Sequence, residues 1–77
     1  MTNSHIATAL RAEAARRERT TTGGASLYRV RAWRHAADAV DMLNEPLDLL
    51  YRQHRLTHVP GIGAAIGAFI SRLVDPE

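Results

Sequence analysis

Cysteine and lysine are both absent from the 77-residue chain. Without cysteine no disulfide can staple the fold, and four scattered histidines without ligand spacing offer no structural metal in its place. One domain of this size therefore has to be held by helix packing or by self-association. The missing thiols also suit a reducing compartment. Without lysine, no side-chain amine is present to form a Schiff base, and no phosphate loop built around a lysine can exist. No apolar run approaches the ~20 residues that span a bilayer, and the stretch from Met1 to His5 is polar where a signal peptide needs an apolar core. The resulting expectation is a soluble cytoplasmic protein without a membrane partner. Strand alternation, internal repeats and low-complexity tracts are missing as well.

What the chain has instead is arginine. All ten basic residues are Arg, against eight acids, for a formal net charge of +2. Arg in place of Lys suits bidentate contacts to phosphate, and it equally suits a coding bias. The charge is uneven: residues 1–35 hold seven Arg and two acids, residues 36–77 three Arg and six acids. The front half is thus the expected electrostatic footprint for a polyanion.

Residues 5–18, rich in Ala, Leu, Arg and Glu, predict a helix with Ile6, Ala9, Leu10 and Ala14 on one stripe. The run RTTTGG at 19–24 breaks it. Ser26 is the expected N-cap of a second helix, 27–43, whose buried stripe is Leu27, Val30, Trp33, Ala37 and Val40. Its basic residues, Arg29, Arg31, Arg34 and His35, precede Asp38 and Asp41, an order opposed to the helix macrodipole. Pro46 opens a short third helix, 46–54, burying Leu47, Leu50 and Tyr51, and a final helix runs over 63–74 with Ile66, Phe69, Ile70 and Leu73 inward. The fold class is all-α, a compact bundle of four short helices in one domain, 1–77.

Between the last two helices, residues 57–70, THVPGIGAAIGAFI, carry no charged side chain. A helix that opens with glycines leaves its first N–H groups unpaired and uncovered, and the macrodipole adds about half a positive charge there. The amides of Gly61, Gly63 and Ala64 are therefore candidate ligands for a phosphate oxygen. An ordinary tight interhelical turn would use the same residues.

Val59-Pro60-Gly61-Ile62-Gly63, preceded by Leu56 and followed by Ile66 and Ile70, resembles a helix-hairpin-helix motif. Together with LYRVRAWRHAADAV at 27–40, it is similar to the N-terminal, lyase-like domain of family-X DNA polymerases, related to that of DNA polymerase beta. Residues 26–75 carry the match; 1–25 hold the first helix and a linker looser than the family pattern. The resemblance implies DNA binding through backbone phosphates with little sequence preference, to single-stranded, gapped or duplex DNA, with gapped or 5′-phosphate ends favoured, and a place in DNA repair. By that match Arg29 is a 5′-phosphate contact and Trp33 the pocket aromatic; with the open hairpin and the other basic residues of the second helix, the DNA-binding set is Gly61, Ile62, Gly63, Ala64, Ala65, Arg29, Arg31, Arg34 and Trp33. Phe69 and Ala65 stand where lyase-competent members carry lysines, so the lyase reaction is expected to be lost and the domain to be no enzyme by itself. The carbonyls of Thr57, Val59 and Ile62 match those that hold a monovalent cation, Na⁺ or K⁺, beside the DNA; no other cofactor is implied. Met1 and the closing residues Asp75-Pro76-Glu77 suit a complete small protein, whereas domains of the resembled kind usually precede a polymerase.

Each residue also has a plainer reading. Trp33 either stacks on an unpaired base or sugar or fills the core, and its place on the apolar stripe favours the core. The arginines either meet phosphates or are solvated helix charge. His35, His54 and His58 read as surface or capping residues. Asp38, Asp41 and Glu45 predict pairing with Arg34, or a side that repels bulk polyanion, rather than a Mg²⁺ site. The competing function is a protein-interaction module of the same fold, a homodimer or the partner of a larger protein, without DNA.

Overall fold

The computed structural model describes residues 2–20 and 24–76. α1 (Asn3–Thr20) and α2 (Gly24–Met42) form a long antiparallel pair. The direction follows from the side chains that meet: Asn3 reaches Glu45 and Leu47, Arg11 reaches Asp38 and Asp41, and Glu18 reaches Arg34. Both helices run further than their patterns predict, and Thr21 to Gly23, the centre of the expected break, lie outside the described residues. Because α2 already begins at Gly24, Ser26 lies inside it and not at its N-cap.

The α1 stripe is Ile6, Ala7, Leu10, Glu13 and Ala14, so Ala7 replaces Ala9 and an acid sits in the apolar row. From α2 come Val30, Trp33, Ala36, Ala37 and Val40. Two alanines from each helix are buried in this core, small side chains that let the two axes come close. Leu27, expected in the same row, is 47% exposed.

α3 (Leu47–Arg52) is shorter than the sequence suggests. It stops in a Schellman arrangement: His54 N–H donates to Tyr51 C=O at 3.1 Å and Arg55 N–H to Leu50 C=O at 2.9 Å, with His54 at φ 56°. A 3₁₀ turn, Leu56–His58, leads into the hairpin, and α4 (Ala64–Val74) closes the bundle. α4 buries Ile66, Gly67 and Ile70 and lays Phe69 edge-on to Trp33, ring centroids 5.0 Å apart. The fold is all-α, four helices with no strand among the described residues. No described helix is long and apolar enough to cross a membrane.

Candidate phosphate-binding site

The hairpin is a tight turn from Val59 to Ile62. Proline is its second residue and glycine its third, with Gly61 at φ 93°, a conformation that side chains disfavour. Ile62 N–H donates to Val59 C=O at 3.0 Å and its side chain is buried, so Ile62 clips the helices together and its nitrogen is not open to a ligand.

Past Ile62 the backbone opens. Gly63 precedes α4 in extended conformation and provides no side-chain cap, and the first bond into the helix runs from Gly67 N–H to Gly63 C=O at 2.8 Å. The N–H groups of Ala64, Ala65 and Ile66 consequently have no backbone acceptor among the described residues. Gly63, Ala64 and Ala65 are exposed, and the first turn of α4 contains no acid that would neutralise the helix end. The glycine nitrogens at 61 and 63 likewise donate to no described backbone group.

These positions border a cavity of about 420 Å³. Its walls include Gly61, Gly63, Ala64 and Ala65 from the hairpin side, Arg29 and Trp33 from α2, and Arg17 from α1. Arg29 is thus brought to the open nitrogens as the sequence suggested. Arg17 is a cation that sequence reasoning missed; its signal was present only as one more Arg on a helical face.

Trp33 takes the core place that its apolar stripe favoured, and the other predicted arginines lie off the cavity wall. Trp33 is 4% exposed, with the Arg17 guanidinium 4.4 Å from its ring centroid and Phe69 against it, so it is a core side chain without a free face for stacking. Arg34 does not line the cavity and is bound to Glu18 at 2.7 Å. Arg31 is exposed and also outside the cavity wall. Asp38 and Asp41 pair with Arg11, at 2.9 and 2.7 Å, not with Arg34, because the antiparallel register carries α1 past them. The Arg11 guanidinium is held above its ordinary pKa, chiefly by the hydrogen bond to Asp38.

Charge is redistributed by these pairs. Of the seven Arg in residues 1–35, Arg11, Arg16, Arg17 and Arg34 sit in ion pairs, whereas Arg52, Arg55 and Arg72 of the acidic half have no carboxylate partner among the described residues. Of the front half, Arg19, Arg29 and Arg31 are left without a carboxylate partner among the described residues, and of these Arg29 borders the cavity.

Phe69 and Ala65 occupy α4 as expected, Phe69 against Trp33 and Ala65 on the cavity wall. The carbonyls of Thr57 and Ile62 accept no backbone donor outside the helices, and Pro60 has no N–H to offer Thr57 across the turn. Val59 C=O accepts one hydrogen bond, from Ile62. A family model described as a helix-hairpin-helix domain matches residues 1–76. Among curated proteins and among solved structures nothing matches the chain.

Proposed function

The chain belongs to the helix-hairpin-helix domain family, and from that premise we propose that it binds DNA through backbone phosphates with little preference for base sequence. The observation that carries this reading is the uncapped start of α4, without an acid in its first turn: its N–H groups have no backbone acceptor among the described residues, Gly63, Ala64 and Ala65 are exposed, and they line a cavity that Arg29 also lines. Peptide N–H groups and an Arg fork are complementary to a phosphate oxyanion, and contacts made to phosphate carry no base information.

The finer reading follows the resemblance to family-X polymerase N-terminal domains: gapped DNA with a 5′-phosphate end is the preferred substrate, within a repair process. Ala65 and Phe69 replace the amines that lyase chemistry requires, so the domain holds such an end without acting on it. The carbonyls of Thr57, Val59 and Ile62, an uncharged, all-oxygen donor set suited to Na⁺ or K⁺, would hold a monovalent cation. When bound, it supplies positive charge that a hairpin without charged side chains lacks.

Gly63 is the position at which to test the reading. A Cβ built there meets nothing within 4 Å, so a bulky residue obstructs the approach of a phosphate without disturbing the fold. Gly63→Val is expected to weaken binding about tenfold, to gapped, nicked and intact duplexes of unrelated sequence alike, with affinity falling steeply between two salt concentrations. Wild-type affinity in Gly63→Val would remove the hairpin from the mechanism. A wild-type protein that binds no DNA at either salt but self-associates by mass would favour the interaction module.

A further inference from the structure

Glu13 is the one buried charged residue among those described, 8% exposed in the apolar row of α1. Stability alone would be served by an alanine or leucine there, because a buried carboxylate is costly unless it is paired and hydrogen-bonded. It is paired twice: Arg17 Nε donates to one carboxylate oxygen at 2.9 Å, and Arg16 lies 2.7 Å from the other. Arg17 is then held a second time, its guanidinium carbon over the Trp33 ring at 4.4 Å from the centroid. Glu13 engages only Nε, and the two terminal nitrogens of Arg17 make no hydrogen bond to a described residue. The side chain so fixed borders the cavity that also contains Arg29, Gly63, Ala64 and Ala65.

Resting on the DNA reading above, we infer that Arg17 is the second cation gripping the phosphate in this cavity, and that Glu13 and Trp33 position it there. A guanidinium anchored by Nε and by a cation–π contact keeps its other donors free, the arrangement in which Arg binds phosphate bidentately with little further loss of freedom. The cavity thereby gathers one Arg from α1, one from α2 and the open nitrogens of α4, a convergence of three elements on one oxyanion. The bound group is a phosphate of the DNA backbone, terminal or internal, which share this chemistry.

The test is a salt-resolved affinity series on gapped duplexes carrying a 5′-phosphate or a 5′-hydroxyl, with Arg17→Gln, Arg17→Lys, Glu13→Gln and, as a control of equal charge change away from the cavity, Arg11→Gln. Thermal melting reports that each variant is folded. Arg17→Gln is expected to weaken binding about tenfold and to lower the slope of log affinity on log salt by about one. Arg17→Lys keeps the slope and loses less affinity. Glu13→Gln is the sharper test. Removing a negative charge beside a polyanion site strengthens binding by Coulomb attraction alone, whereas loss of positioning weakens it; a several-fold weakening is expected. A deficit confined to the 5′-phosphate duplex assigns the contact to the terminal phosphate, and one on both duplexes to an internal phosphate. Arg17→Gln behaving like Arg11→Gln, or Glu13→Gln binding more tightly, would overturn the inference. If Gly63→Val still weakens binding in that case, the DNA reading stands without it; if the wild type binds no DNA, both fall.

Discussion

Gly61 and Gly63 lie two positions apart and serve different ends. At 61 the backbone has φ 93°, and a Cβ would also approach Ala39 at 3.8 Å, so glycine is there for the turn itself. At 63 the backbone is extended and open, so glycine is there for what can approach. Another single contact carries a pH dependence. Tyr51 Oη donates to the Asp75 carboxylate at 3.0 Å, and the phenol is held above its usual pKa by that bond first, then by the neighbouring negative charge and by desolvation. The folded value lies above the unfolded one, so the stabilisation is full below the unfolded phenol pKa of about 10 and is lost as pH rises through the folded value. Asp75→Asn is expected to move the Tyr51 step of an ultraviolet titration to lower pH. An unmoved step would mean that the bond does not form in solution.

Among the elements, α3 depends most on its neighbours. Six residues are too few to hold a helix in water, and Pro46 at its N-cap has no side-chain acceptor. Asn3 supplies the cap from α1: its Oδ1 accepts Leu47 N–H at 2.9 Å while its Nδ2 donates to Glu45 C=O at 2.8 Å. Asn3→Ala should cost about 1–2 kcal/mol in a denaturant titration, the usual worth of an N-cap, although the residue is 44 positions from its partner. At the other end, His54 occupies a left-handed position normally given to glycine. Replacing it relieves about 1–2 kcal/mol of backbone strain against about 0.5–1 kcal/mol of added chain entropy. His54→Gly is therefore expected to raise stability by about 0.5–1 kcal/mol in the same titration, and a loss would show that the His54 side chain makes a contact worth more than the strain.

For the molecule as a whole, the decisive quantity is the α1–α2 core. The ion pairs that decorate it are largely exposed and add little, so burial of Ile6, Leu10, Val30, Trp33 and Val40 has to hold the pair together. Leu10 is fully buried, and Leu10→Ala should cost about 2–5 kcal/mol, a large share of what so small a domain possesses. A fall in Tm of roughly 10 °C or more is expected. A fall of only a few degrees would indicate that α1 draws support from another chain. Because Arg17 and Glu13 lie on α1, any loosening of this core also disperses the candidate cavity.

Local chemistry is what the sequence determined by itself. Four helices, the turn chemistry of Pro60 and Gly61, and the open nitrogens after Gly63 depend on residues within a few positions of one another, and these were readable in order along the chain. The tertiary structure decided what depends on register between distant segments. It set Arg17 over the Trp33 ring, gave Arg34 to Glu18 and Asp38 to Arg11, and left Leu27 exposed. It also brought Arg17 to a cavity more than forty residues away in sequence. Helical periodicity states which face a side chain takes, but only packing states what lies opposite that face, and charges pair with whatever the packing brings within reach.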